Sequence, residues 1–257
     1  MDDVVIDGGG DGKTRAYDFV LPYKVADKPP VIFIQSQFYA GDSGSVSHKV
    51  VDQTKASRPH TSIKFPAAVF LELLDGAGYY SALNGDLKHM IGMETTSEFI
   101  QLRSANIKLR RELQKIGFLT LLEVELAVFK SSDQDIEEIK TILSDDGYSQ
   151  NEISRLLSKV IEKGLIKTSA NKLLISNDRV QYARRYLVID AIAIIGEELT
   201  SKSTAKILIP GYGPYYGVSI NELSKYISKT VKSLNYSRDE FADDMTWLSE
   251  KKYTVLT

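Results

Sequence analysis

Residues 31 to 39 read Val31-Ile32-Phe33-Ile34-Gln35-Ser36-Gln37-Phe38-Tyr39, and this stretch decides the fold of the N-terminal part. Val31 to Ile34 is apolar at every position, as in a central strand covered on both faces. A loop with Asp27, Pro29 and Pro30 precedes it, and a turn with Gly41 and Ser43-Gly44-Ser45 follows. Gln35 and Gln37 stand two apart, so the pleat of a strand sends both to one face. One strand earlier, Tyr17-Asp18-Phe19-Val20-Leu21 carries Asp18, seventeen residues before Gln35. A carboxylate facing two oxygen-bearing side chains on a neighbouring strand suits a hard cation such as Mg2+. The plainer alternative is a set of ordinary polar residues at a sheet edge.

Outward from this strand the first ~100 residues keep a strand-and-turn character with short connections. Val4-Val5-Ile6 is a short strand, followed by Gly8-Gly9-Gly10-Asp11-Gly12-Lys13-Thr14. That glycine run imitates a phosphate-binding loop. However, the place of its first glycine is taken by Asp7, and a strand follows where phosphate binding needs a helix N-terminus. It reads as a glycine-rich hairpin turn. Ser43 to Arg58 is polar with Val46, Val50 and Val51 at roughly helical spacing. Phe65 to Leu74 is a second apolar run, stopped by Asp75-Gly76, and Tyr80 to Met90 is helical in pattern. The expectation is a mixed α/β domain over residues 1–104.

From Ala105 onward the pattern is helical, and the second region is 105–257. Leu119 to Phe129 and Asp133 to Leu143 are apolar-faced helices, the latter stopped by Gly147. Ser149 opens a third as its N-cap, with Glu152 placed for a capping box. Ile153, Leu156, Leu157, Val160 and Ile161 are its inward stripe, and Gly164 ends it. Leu165-Ile166-Lys167, a Ser169-Ala170-Asn171 turn and Leu173-Leu174-Ile175 form a hairpin. Three helices and a hairpin are the plan of a winged helix, here at about 118–176. Gln150, Asn151, Ser154, Arg155, Ser158 and Lys159 fall away from the apolar stripe, where a recognition helix shows its base-reading groups. From Ser149 to Lys172 there are five basic and two acidic residues, a local +3 in a chain of net −2. Winged helices also serve as protein–protein modules, so this second use stays open. Arg103, Lys108, Arg110, Arg111 and Lys115 suit either a phosphate track or the wet face of a helix.

The order of features around Gln35 resembles type II restriction endonucleases of the PD-(D/E)xK nuclease superfamily. The nearest branch has an active-site strand reading Glu-x-Gln or Glu-x-Asn, then Phe and a glycine-rich turn. A later hydrophobic strand ends there in Asp-Gly-x-Gly-aromatic, as Asp75-Gly76-Ala77-Gly78-Tyr79 does here. The resemblance covers roughly residues 15 to 90. It implies a restriction-endonuclease-like mixed sheet flanked by helices, and Mg2+-dependent hydrolysis of double-stranded DNA at a specific site, with a homodimer on symmetric sequences. By position, Asp18 matches the first metal-binding carboxylate, Gln35 the second acidic position and Gln37 the usual Lys. His48 and Lys49, on the helix after the glycine turn, suit either a phosphate contact or a plain solvated helix face. Gln35 is a departure: an amide brings no charge to hold a divalent ion and accepts no proton. The family's core also begins with a helix, and here the first strand starts almost at Met1. A truncated chain is the favoured expectation, a layer supplied by a partner the other.

Composition narrows the remaining classes. With 32 Lys+Arg, 34 Asp+Glu and 43% hydrophobic residues the chain is globular in type. The absence of Cys removes disulfides, thiolate metal sites and Cys nucleophiles, and suits a reducing cytoplasm. Tyr186 to Gly196 is too short to span a bilayer and contains Asp190, so no membrane helix is expected. His48, His60 and His89 lack metal-binding spacing. Gly211-Tyr212-Gly213-Pro214-Tyr215-Tyr216-Gly217 reads as a packed loop. Alternatives to the nuclease are a non-catalytic winged-helix DNA-binding regulator and a protein-interaction subunit.

Overall fold

The computed structural model describes residues 4–5, 16–23, 28–38, 44–76, 92–198, 205–207, 216–233 and 236–256. The chain divides into two compact units, Met1–Glu112 and Leu113–Thr257. The division falls inside a helix, beyond the expected boundary at 104.

In the first unit, β1 (Val4–Val5) pairs antiparallel with β2 (Ala16–Tyr17). A bend at Asp18 separates β2 from β3 (Phe19–Leu21), so the strand expected over 17–21 is two short pieces. β4 (Ile32–Phe38) lies at the centre of a mixed sheet. β3 runs antiparallel to it with Phe19 opposite Ile34. β5 (Val69–Asp75) runs parallel on its other side with Gln35 opposite Glu72. β6 (Glu98–Ile100) completes the order β3-β4-β5-β6. A parallel neighbour requires a crossover, and α1 (Gly44–Lys64) supplies it, running on through Pro59 rather than stopping near Arg58. The apolar run from Phe65 becomes strand only at Val69. The stretches Gly8–Thr14 and Tyr80–Met90 lie outside the described residues.

Alternation along β4 gives the sheet two unlike faces. Phe33 packs with Tyr17 of β2 at 4.8 Å and stacks on Phe70 of β5 at 5.4 Å between ring centroids. Full burial of rings like these contributes roughly 1.5–3 kcal/mol apiece. Tyr17 also donates its hydroxyl to Thr61 of α1 at 3.1 Å, which seats the helix on this face. Ile34, Leu73 and Ile100 point the other way. There, with Ala105 and Leu109 of α2 (Ala105–Lys115), they line an apolar cavity of about 500 Å³.

The second unit opens with α3 (Leu121–Lys130), α4 (Ile136–Asp145) and α5 (Gln150–Glu162), followed by the antiparallel pair β7 (Ile166–Ser169) and β8 (Lys172–Ile175). Val124, Val128, Ile139, Leu143, Ile153, Leu157, Val160, Ile166 and Leu173 form their shared core. The stops are as the sequence implies. Gly147 and Gly164 take φ of +96° and +67°, and the N–H groups of Tyr148 and Leu165 reach back to the Leu143 and Val160 carbonyls. Asp135 caps α4 by accepting from the N–H groups of Glu137 and Glu138, at 2.9 and 3.1 Å. Ser149 caps α5 through the Glu152 N–H.

The hairpin turn is a two-residue loop with φ of +47° at Ala170 and +64° at Asn171. Positive φ at both central positions is the type I′ geometry that matches strand twist. Asn tolerates it; Ala does so at a cost of about 1 kcal/mol. Ala170→Gly is therefore expected to raise stability by roughly 0.5–1 kcal/mol. A urea-unfolding midpoint that stays put or falls would contradict the assigned turn.

The rest of the unit is built on α6 (Asn177–Ile195), which holds most of the apolar run Tyr186 to Gly196; its part up to Ile192 is mostly buried, and Ile194 is exposed. α7 (Ile220–Thr230) and α8 (Arg238–Glu250) follow. A four-stranded sheet of order β12-β10-β11-β9 is made from β9 (Glu197–Glu198), β10 (Ala205–Ile207), β11 (Tyr216–Gly217) and β12 (Thr254–Leu256). Residues 206 and 207 and 216 and 217 are thus strand, where the sequence pattern suggested only an interruption between helices. Gly211–Tyr215 lies outside the described residues.

Candidate functional site

The nuclease-type constellation is split by the sheet. Asp18 lines the apolar cavity on the face of Ile34. Its Oδ2 accepts the Ser36 N–H at 2.6 Å. Gln35 is buried on the opposite face, where α1 covers it. Its Oε1 accepts from the Arg58 guanidinium at 3.0 Å and from Thr54 Oγ1 at 3.5 Å. Gln37 is half-buried on the Gln35 side of the pleat. The bend at Asp18 causes the separation, because it breaks the alternation that the sequence extended from Tyr17 to Leu21. His48 and Lys49 lie near the start of α1, and their side chains fall outside the described residues.

The resemblance implies one or two Mg2+ ions, with Asp18 holding metal and the residue at 35 completing its shell. The donors present do not fit such an ion. The amide oxygen of Gln35 faces a guanidinium, and Asp18 is engaged on the other side of the strand. Arg58 itself is the centre of a buried polar cluster. It ion-pairs with Glu72, with both side chains at 1% exposure or less. It also donates to Thr96 Oγ1 at 2.8 Å, and its Cζ lies 5.2 Å from the Phe70 ring centroid. Sequence reading passed over this pair. A single carboxylate inside the run Val69-Phe70-Leu71-Glu72-Leu73-Leu74 was its signal, since a charge in a buried strand requires a partner.

In the second unit, Gln150, Asn151, Ser154, Arg155, Ser158 and Lys159 are all exposed along α5, and Lys163, Lys167 and Lys172 are exposed beyond it. Ile153, Leu157 and Val160 on the other side of the helix are buried. Arg155 is held at 3.0 Å by Glu152 one turn earlier, an exposed pair of the kind that exchanges readily for another anion. The hairpin is fixed to the helices. Asn171 donates from Nδ2 to Asp135 Oδ2 at 2.8 Å, and its carbonyl accepts the Ile136 N–H at 3.1 Å. An isolated bridge joins Asp135 to Lys172. Glu138 accepts from Ser131 and Ser132, and these bonds hold its carboxyl below the usual range, tying the α3–α4 turn.

The cluster Arg103–Lys115 is mixed in placement: Lys108 and Arg110 are buried, and Lys108 pairs with Glu98 at 3.0 Å. Neither a phosphate track nor a uniformly wet helix face describes those two residues. No known protein family, curated protein or solved structure matches the chain. Among the described residues no helix is long and apolar enough to cross a membrane.

Proposed function

We propose that this chain binds double-stranded DNA through a winged helix formed by α3, α4, α5 and the β7–β8 hairpin, with the nuclease-like sheet of the other unit as scaffold. One observation carries the reading: α5 buries a continuous apolar stripe while showing solvent Gln150, Asn151, Ser154, Arg155, Ser158 and Lys159, with Glu162 exposed only at its last turn. Amides and Arg are the side chains that read base edges, and lysines neutralise phosphates. The local surplus of positive charge over Ser149 to Lys172 draws in the duplex although the whole chain is slightly acidic.

Fluorescence anisotropy with mixed-sequence duplexes tests it. Binding is expected at low salt, with log K falling linearly against log salt. Arg155→Ala with Lys159→Ala is expected to weaken binding about 10–100-fold and to flatten the slope by about two. An absence of duplex binding at low salt would turn the same surface into a protein-interaction face.

A second reading keeps the hydrolase implied by the resemblance, a Mg2+-dependent type II restriction endonuclease working as a homodimer. The strand path favours it. An Asp-bearing strand lies antiparallel to the Gln-x-Gln strand, and a helical crossover leads to a parallel strand ending at Asp75. On this reading Gln35→Glu restores the acidic residue of the family's pattern at position 35. Mg2+-dependent cutting of mixed-sequence DNA by that variant, lost on Asp18→Ala, would support this reading, and uncut DNA counts against it.

A further inference from the structure

We propose that the Arg58 guanidinium ties Gln35 and Glu72 into a buried, metal-independent cluster, so that position 35 is committed to Arg58 and contributes no ligand to a divalent ion. Parallel pairing sets Gln35 and Glu72 side by side on adjacent strands, and both are buried. A buried carboxylate needs one positive charge and directed donors. Arg58, reaching in from α1, supplies the charge and a directed donor from Nη2, while its buried Nε–H has no hydrogen-bond partner among the described residues. Its terminal N–H groups reach Glu72, Gln35 and Thr96, and the Phe70 ring lies beneath the guanidinium. Arg58 and Glu72 form a neutral pair, and Gln35 adds no charge to it. A Glu at 35 would add a second carboxylate beside that pair. A divalent ion entering there would place two further positive charges beside the guanidinium. Gln35 is therefore the residue that matches Arg58, and its departure from the acidic pattern has a local electrostatic cause.

Thermal unfolding of the full chain in EDTA and in excess Mn2+ tests this, alongside electron paramagnetic resonance of free Mn2+. The wild type is expected to unfold at the same midpoint in both. Gln35→Glu is expected to stay insensitive to Mn2+, since the added carboxylate shares Arg58. Arg58→Met is expected to lose several degrees of midpoint. Arg58→Met combined with Gln35→Glu is expected to regain them only with Mn2+, while taking up the ion. A rise in the midpoint of the wild type or of Gln35→Glu with Mn2+ overturns the proposal. The Gln35→Glu arm leaves Arg58 in place, so it decides the matter even where Arg58→Met does not fold. Duplex binding through α5 is a separate measurement, so either idea can fail without the other.

Discussion

Asp244→Ala is expected to destabilise the second unit by about 3–5 kcal/mol, enough to remove most of the stability of an ordinary domain. Asp244 sits on α8, fully buried, and three groups converge on it. Arg184 of α6 donates through Nε, Arg185 through Nε at 3.2 Å, and Tyr236 through its hydroxyl at 2.9 Å. Arg184 also pairs with Glu240 and lies with its Cζ 5.0 Å from the Tyr236 ring centroid, while Arg185 stacks at 4.3 Å on Trp247. Burial and the Asp244 charge push the Tyr236 hydroxyl far above its ordinary value, so it remains a donor throughout the working pH range. Removing the carboxylate takes from the Arg184 guanidinium, whose side chain is 5% exposed, its buried counter-charge and leaves only the more exposed Glu240. Depriving a desolvated cation of its buried partner costs far more than the loss of one hydrogen bond. Asp244→Asn keeps the shape and is expected to cost less. Arg185→Ala is expected to cost less again, because that residue is more exposed and can rehydrate. Urea unfolding of the three variants should rank them in this order. A loss below about 1 kcal/mol for Asp244→Ala would mean that the cluster is a minor contributor.

The two regions differ in how much of them the sequence made legible. The helices of 118–176 were readable because amphipathic periods, caps and Gly stops all agree there. Ser149, Gly147 and Gly164 perform in the structure the roles their residue types suggest. Agreement of local signals is what makes a segment readable. The sheet of the first unit was readable as strands, through the apolar run at Val31, but the facing of Asp18 was not. One bend at Asp18 reverses the side on which every following residue lies, and nothing in the spacing of Asp18 and Gln35 records a bend. The β9–β12 sheet was invisible for a simpler reason: strands of two or three residues carry no alternation. Buried charges were the third gap. Glu72, Glu125 and Asp244 each stand among apolar or distant residues, and their partners lie 14, 54 and 60 positions away. What sequence does show is the anomaly of a carboxylate at a core position, which demands a partner without naming it.

Arg179→Met is expected to couple the stability of the second unit to pH in a direction opposite to that of its surface carboxylates. Glu125 of α3 is fully buried and meets Arg179 of α6, whose Nη2 donates to it at 2.8 Å. Burial raises the Glu125 carboxyl above its ordinary value of 4.5, and the attraction of Arg179 only partly offsets this. The folded chain therefore holds that proton to higher pH than the unfolded chain does. Between the two values the native state binds more protons, so this group's contribution falls as pH rises through the window. Taking away Arg179 removes the lowering influence and extends the window upward. At pH near 4.5 the Met variant should resemble the wild type, and by neutral pH it should be weaker by about 3 kcal/mol. Glu138 and Glu240 act the other way. Hydrogen bonds from Ser131 and Ser132, and from the Ser237 N–H, hold them below 4.5. Their contributions are in place above that value and are lost as pH falls through the folded values. Urea titrations of both proteins from about pH 4 to pH 8 separate the two behaviours, since the surface carboxylates cancel in the difference. A difference that is constant across the range would show that Arg179 stabilises by packing on Tyr182, where its Cζ lies 4.8 Å from the ring centroid, and not by its charge. Because α3 belongs to the proposed winged helix, loss of the pair should also weaken duplex binding at neutral pH more than at acid pH, once the general rise of affinity with added positive charge has been subtracted using the wild type.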